Sequence, residues 1–294
     1  MNDEAGSTPV PGVADVYMAT EDNHWYTPTA MSRGPWDPNA CHAGPPTGVL
    51  VRTMERALRQ QAIDGQSPTA HRLVRITVGL SKPIPMAGFY AEAEFTKVGR
   101  AVSWLEARLR DSDGKLLISA AGMAIRSAAP QPLPTVAARE PRFQESTPGA
   151  FPLRRLRHDL PGFWSSTSLR YPPGETPDEG PTTVWMKTVP LLAGEAPSPF
   201  QRVCPLADSG NAFSRNAPPS EVSFINPDLT IVLHREPEGE WIGSSSRSFW
   251  QPDGIGLAEA TLYDSHGEIG TALQTLLLDP SSASQTTRDP SQTE

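Results

Sequence analysis

Apolar and polar residues alternate with a period of two over much of the chain. In one clear case Leu105, Ala107 and Leu109 are separated by charged residues, and a turn at 111–114 leads into a second apolar stretch at 116–125. Side chains on a β-strand point alternately to its two faces, so this pattern is typical of a strand with one buried face. Two such strands joined by a short turn predict an antiparallel hairpin.

The same hairpin pattern occurs twice, because the sequence contains an internal repeat. At an offset of 153 residues, 106–114 match 259–267 at six of nine positions, and further matches pair 77–82 with 230–235. Turns of this kind recur by chance, but matches that continue upstream without a gap favour the duplication of a whole unit.

One long helix precedes the first set of strands. Apolar residues recur at helical spacing over 46–62. Pro45 and Pro46 suit the first turn of a helix, which has no use for the N–H groups that proline lacks. The second half contains a shorter helix pattern, at 205–215. A helix followed by a long antiparallel sheet, twice over, predicts an α+β fold.

The composition divides the chain into four segments. We predict one folded unit at 15–127 and a second at 163–280. The residues between them, 128–162, are rich in proline and charge and lack periodicity, which is typical of a surface connector. Residues 281–294 have few apolar side chains to bury, so we expect a disordered tail.

Charge and composition exclude several classes of protein. A net charge of −8 and a pI near 5.3 argue against a nucleic-acid-binding protein. The longest apolar stretches are too short to span a membrane and the N-terminus lacks a secretory pattern, so we expect a cytoplasmic protein. Cys41 and Cys204 lack the spacing of a zinc site, and we expect neither a metal nor a cofactor. Local basic residues would have to bind any anionic ligand, and the candidates are Lys82, Arg100, Arg235 and Arg247.

Three short motifs carry a resemblance to a known family. They are HWYTP at 24–28, CHAGPP at 41–46 and FINPDLT at 224–230. Together they resemble the double-hotdog acyl-CoA thioesterases. The resemblance implies a tandem hotdog in which each half is a curved antiparallel sheet wrapped around a helix. It also implies hydrolysis of an acyl-CoA or acyl-carrier-protein thioester.

The resemblance also implies a set of catalytic residues. Family members use an Asp, a hydroxyl residue and a Gln from the second hotdog to orient and activate water. On this sequence the Asp falls on Asp228 and the Gln on Gln274. The hydroxyl residue falls on Ser248, with Ser246 as the alternative. One carboxylate that acts as general base, with hydrogen-bonding neighbours, suits attack of water on a thioester.

The start of the first helix is the predicted site for the carbonyl oxygen of the substrate. Backbone N–H groups at a helix N-terminus stabilise a developing oxyanion. The resemblance places this start at His42, Ala43 and Gly44, and Gly44 would allow the carbonyl to approach the backbone closely.

The repeat indicates how many sites the chain contains. At the offset of 153 residues, Asp228 is opposite Arg75 and Gln274 is opposite Ala121. The first half therefore lacks the predicted polar pair. This difference predicts one functional site per chain.

Other functions remain open at this point. A His before a glycine- and proline-rich helix start is similar to the hotdog dehydratases that act on β-hydroxyacyl thioesters, where it works with an acid on the helix. Here His42 would be that residue, but Glu55 is displaced by one position and Arg56 occupies the expected place. A hotdog that only binds acyl groups, or acts as a cyclase in secondary metabolism, is a further alternative. Hotdog proteins commonly associate through their sheets, so a homo-oligomer is expected.

Overall fold

The computed structural model describes residues 15–63, 71–127, 141–153 and 160–280. The predicted tail at 281–294 and much of the predicted connector lie outside these residues. No helix among them is long and apolar enough to cross a membrane. The helices are α1 (Gly44–Ile63), α2 (Pro199–Ala207) and α3 (Gly210–Phe213). The strands of the first half are β1 (Met18–Ala19), β2 (Trp25–Pro28), β3 (His71–Leu80), β4 (Phe89–Lys97), β5 (Val102–Arg110) and β6 (Leu116–Arg126). Those that follow are β7 (Thr147–Gly149), β8 (Thr167–Tyr171), β9 (Thr182–Thr188), β10 (Ser223–Ile225), β11 (Asp228–Leu233), β12 (Ile242–Trp250), β13 (Ile255–Asp264) and β14 (Gly267–Asp279).

The two halves form one antiparallel sheet, joined by β3 and β11. The strand order is β1-β2-β4-β5-β6-β3-β11-β14-β13-β12-β9-β8-β7, and β10 pairs with β14. At the join Thr77 lies opposite Thr230, and their hydroxyl oxygens are 3.1 Å apart. These two residues are equivalent in the repeat, so the join is a pseudo-two-fold axis.

The structure follows the sequence repeat, with one important shift. Strands β12 and β13 begin 153 residues after β4 and β5. The last hairpins of the two halves, however, differ in length. In the first half Ile118 pairs with Leu109, nine residues earlier. In the second half Gly270 pairs with Leu262, the equivalent of Leu109, only eight residues earlier. The last strand of the second half is therefore one residue out of step with the ungapped alignment.

This shift changes the counterpart of Gln274. Gln274 pairs with Ala258, and in the first half Gly122 pairs with Leu105, the equivalent of Ala258. The structural counterpart of Gln274 is therefore Gly122 and not Ala121. A side chain at Gly122 would collide with Met54, since a Cβ there would lie 2.5 Å from the Met54 sulfur.

The helices cover one face of the sheet, called here the inner face. Helix α1 packs on β3, β4 and β5, while α2 and α3 pack on strands of the second half, and α1 and α2 contact each other. Gly44 allows the close approach of these two helices, because a Cβ there would lie 2.8 Å from the Cα of Pro205. The core thus lies between the helices and the inner face of the sheet.

Two segments differ from the predicted elements. The second helix begins at Pro199, ahead of the predicted 205–215, because Ser198 accepts a hydrogen bond from the Gln201 N–H and Pro199 suits the first position. The second folded unit was predicted to begin at 163, but β8 begins only at Thr167, after a short 3-10 turn at Phe163–Ser165.

Candidate active site

A cavity of about 400 Å³ opens between the two halves. Its lining comes from the segment before α1, the loop after β3, the start of α3 and the end of β10. The polar side chains that contribute to it include His42, Lys82, Asp208, Asn211 and Asn226. The apolar side chains include Trp36, Ile84, Phe151, Leu153, Ala212 and Phe224.

Asp208 is the centre of a hydrogen-bond network in this cavity. One carboxylate oxygen lies 2.9 Å from His42 Nδ1, and the other accepts a hydrogen bond from Asn226 Nδ2 at 3.1 Å. The backbone carbonyl of Asp208 accepts from Gln274 Nε2 at 2.9 Å. Asp208 is 5% exposed, so these bonds form where little water competes.

Helix α2 places Asp208. Asp208 directly follows the last helical residue, Ala207, and its N–H donates to the Cys204 carbonyl. Helix α2 packs against the N-terminal part of α1, which brings the Asp208 carboxylate to His42. The network therefore contains groups from both halves of the chain.

His42 Nδ1 has two polar neighbours. It lies 2.9 Å from a carboxylate oxygen of Asp208 and accepts a hydrogen bond from the Gly44 N–H at 3.2 Å. The ring stacks on Phe163 with centroids 3.9 Å apart, which fixes its plane.

Gln274 lies on the inner face of β14 and is buried. Its Oε1 accepts from the Asn211 N–H at 3.0 Å, while its Nε2 donates to the Asp208 carbonyl. This side chain therefore binds the backbone on both sides of the turn between α2 and α3. The structure brings Gln274 to the network as a residue that positions Asp208.

The structure places Asp228 away from this network. Leu229, Ile231 and Leu233 are the buried residues of β11, so the alternation puts Asp228 on the outer face. Its carboxylate accepts a hydrogen bond from the Thr275 N–H at 2.6 Å. Asp228 thus caps a backbone donor at the strand edge and does not line the cavity.

The predicted hydroxyl residues are also outside the cavity lining. The hydroxyl of Ser248 lies 2.8 Å from that of Ser214, in the chain that follows α3. Ser246 donates to the Thr182 carbonyl at 3.3 Å. The side chain that binds the Asp208 carboxylate is the amide of Asn226 and not a hydroxyl group.

The three residues predicted at the helix start have different surroundings. His42 and Ala43 line the cavity, whereas Gly44 does not. Gly44 makes room for Pro205 of α2 and not for a substrate carbonyl. Among the described residues, no acceptor is found for the Ala43 N–H, which leaves this donor available at the cavity.

A cysteine nucleophile is disfavoured by the surroundings of Cys41. This thiol lines the cavity beside His42, but burial raises its pKa to about 12. Its sulfur lies 3.6 Å from the Met86 sulfur and 3.9 Å from the Pro85 carbonyl. Because the thiolate is the reactive form, Cys41 is a poor nucleophile at neutral pH.

Sequence reasoning missed Asp208 and Asn226 as the polar centre of the cavity. A usable signal existed for Asn226. It is two residues after the buried Phe224, and a period of two places both side chains on the same face. Asp208 gave no comparable signal in the sequence. Its role depends on how α2 meets His42, a contact between halves that no local pattern contains.

Comparisons with known proteins agree with the geometry. A model of the acyl-CoA thioesterase N-terminal domain matches residues 32–127, and a model of the acyl-CoA thioesterase C-terminal domain matches residues 130–278. Both are thioesterase models, so the dehydratase alternative is not favoured. A comparison with curated proteins finds no match.

Solved structures share the fold at low sequence identity. A Novosphingobium aromaticivorans protein assigned as a thioesterase has 15% identity and a TM-score of 0.67, covering 90% of this chain and 98% of its own. A protein of unknown function with a hot dog fold from Alicyclobacillus acidocaldarius has 14% identity and a TM-score of 0.63, covering 90% and 97%. Acyl-CoA thioesterase II TesB2 from Mycobacterium marinum has 11% identity and a TM-score of 0.55, covering 90% and 96%. The α+β double-hotdog prediction is confirmed, and the chain belongs to the acyl-CoA thioesterase family of thioester hydrolases.

Proposed function

We propose that Asp208 is the general base that activates water for hydrolysis of an acyl-CoA thioester. The observation that carries this proposal is a buried carboxylate in the cavity, with one oxygen beside His42 and the other bound by Asn226. Each oxygen keeps a further lone pair that can accept a hydrogen bond from water. The role predicted for Asp228 is thus proposed for Asp208.

The proposed reaction has two steps. A water molecule held by Asp208 attacks the thioester carbonyl carbon while the carboxylate takes one of its protons. The resulting oxyanion accepts a hydrogen bond from the Ala43 N–H at the start of α1. The oxyanion then collapses, the carbon–sulfur bond breaks, and the proton held by Asp208 passes to the departing sulfur. The products are a carboxylic acid and free CoA thiol.

Three neighbours set the position of the base. His42 Nδ1 lies 2.9 Å from one oxygen of the Asp208 carboxylate, and Asn226 donates to the other oxygen. Gln274 fixes the backbone carbonyl of Asp208. These bonds hold the carboxylate in one orientation, which is what a positioned base requires.

An Asp208→Asn variant tests this proposal, with Asp228→Asn as the matched control. We expect Asp208→Asn to lower kcat for acyl-CoA hydrolysis by about 100-fold or more, on the scale of a lost general base. Asp228→Asn should stay within about 2-fold of the parent, because Asp228 lies outside the cavity lining. Loss of activity in Asp228→Asn alone would overturn the assignment.

Several broader features accompany this proposal. We propose that the two hotdogs span 15–127 and 163–280, that the protein acts in the cytoplasm in lipid metabolism, and that it forms a homo-oligomer. The family models, which match residues 32–127 and 130–278, support a division into two hotdogs. Hydrolysis of acyl-carrier-protein thioesters is a further substrate proposal, because the cavity would receive the same thioester group from either carrier.

A further inference from the structure

Lys82 occupies a distinctive place in the lining of the active-site cavity. It follows β3 in the loop that includes Ser81 and Ile84, and its side chain is exposed. The same cavity contains the buried Asp208. Lys82 is therefore an exposed cation in the lining of the cavity that contains the proposed base.

A second lysine lies beside it. Lys115 lies just after the turn between β5 and β6, and the pairing of Leu80 with Ile118 brings the start of β6 next to the loop that contains Lys82. Contact with Lys115 lowers the pKa of Lys82 below its ordinary value. Asp111 opposes this effect only in part. The Asp111 carboxylate accepts from the N–H groups of Asp113 and Lys115. Within the described ranges, no carboxylate forms an ion pair with either lysine.

The duplicated half provides an internal comparison. Arg235 and Asp264 are the counterparts of Lys82 and Asp111 at the offset of 153 residues. Arg235 binds both carboxylate oxygens of Asp264, at 2.5 and 2.6 Å. The basic residue of the second half thus forms an ion pair with its neighbouring Asp. Lys82 has no such ion pair among the described residues.

We infer that Lys82 and Lys115 bind the phosphate groups of the CoA moiety while the thioester reaches Asp208. The inference rests on the proposed function and identifies the part of the substrate that the cavity entrance recognises. A chain with net charge −8 repels a polyanion, so local cations are needed to bind one. Asp37 also lines the cavity, but its carboxylate accepts from the Asn39 N–H.

Binding of CoA and of pantetheine, which lacks phosphate, separates charge recognition from recognition of the thiol arm. We expect Lys82→Ala/Lys115→Ala to weaken CoA binding by about 10-fold in calorimetry at low salt, and to leave pantetheine binding unchanged. Lys97→Ala, at an exposed lysine outside the cavity lining, should bind both like the parent. In hydrolysis, the double variant should raise KM for acyl-CoA with kcat within about 2-fold of the parent.

The possible outcomes separate the inference from the proposed function. Unchanged CoA binding in the double variant, or equal loss for CoA and pantetheine, would overturn the inference while hydrolysis by the parent upholds the function. Weakened CoA binding without any hydrolysis by the parent would uphold the inference and refute the function. 4′-Phosphopantetheine, the group that an acyl carrier protein bears, should lose less affinity than CoA. An equal loss would uphold the phosphate contact and assign it to the phosphate that both molecules share.

Discussion

At the residue scale, two neighbouring polar side chains have opposite roles because they point to opposite faces. Asn226 keeps the alternation of the buried Phe224, whereas Asp228 alternates with the buried Leu229. The motif that contains both residues was recognisable in the sequence. Asn226 reaches the cavity and Asp228 does not. The acid in the cavity is Asp208, which lies at the end of α2.

Gln274 was predictable from sequence because it is a polar residue at an inner position of an apolar strand. We expect Gln274→Ala to lower kcat by about 10-fold with little change in KM, since it frees the Asp208 carbonyl and the Asn211 N–H without removing the base. Steady-state kinetics with a single acyl-CoA check this.

Thr275→Ala is the control for this change. Thr275 is the exposed neighbour on the outer face, and the substitution keeps the backbone N–H that binds Asp228. Gln274→Glu adds a second comparison, because an ionised glutamate can accept from Asn211 but cannot donate to the Asp208 carbonyl. Full activity in Gln274→Ala would contradict a positioning role.

At the element scale, α1 and α2 are joined by a second carboxylate, which is partly buried. Glu55 of α1 accepts hydrogen bonds from Ser198 at 2.7 Å and from Gln201 Nε2 at 2.8 Å, at the start of α2. This acid had been considered as a catalytic partner of His42. Its bonds instead fix the N-terminus of one helix to the side of the other.

Burial raises the pKa of the Glu55 carboxyl, although the bonds from Ser198 and Gln201 oppose the shift. A raised pKa means that folding favours the protonated form, so this stability is present below the unfolded pKa and is lost as pH rises through the folded value. We expect the melting temperature of Glu55→Gln, relative to the parent, to increase from pH 4.5 to pH 8.

Glu221→Gln is the matched control, because Glu221 is exposed and no pH-dependent difference from the parent is expected there. Thermal unfolding of the three proteins across this pH range gives the comparison. If the difference in melting temperature between Glu55→Gln and the parent stays constant with pH, folding does not shift the pKa of Glu55.

The positions of the elements were only partly predictable. Helix α1 and the hairpins follow from strong periodic patterns and were predicted within a few residues. The start of α2 was predicted too late because a short helix has a weak pattern, and its beginning depends on the Ser198 cap and Pro199. The pairing of β3 with β11 joins residues far apart in sequence, so the repeat suggests the symmetry but local patterns do not show the contact.

At the scale of the whole molecule, duplication has produced two sides with different chemistry around the pseudo-two-fold axis. Gly122 stands where the second half has Gln274, and Met54 lies against it. In the second half, the Arg202 guanidinium donates to the carbonyls of Pro237 and Gly239, in the segment that corresponds to the Lys82 loop. The two sides of the pseudo-two-fold axis are therefore chemically distinct.

We expect each chain to bind one molecule of a non-hydrolysable acyl-CoA analogue. Calorimetric titration of the parent should give a stoichiometry of about one per chain, because the proposed base Asp208 lies in one cavity, between the two halves. Asp208→Asn should keep this stoichiometry. A value of two would show that the Gly122 side also accepts substrate.

The one-residue difference between the two hairpin turns has a wider consequence. A strand has a two-residue frame, so removing one residue from a turn exchanges the sets of side chains that face the helices and the solvent. The length of the turn before β14 therefore determines which of its side chains face the helices. Gln274 faces inward in the second half, while Ala121 faces outward in the first. A change in the length of a surface turn can thus give the two halves of a duplicated sheet different sets of inward-facing side chains.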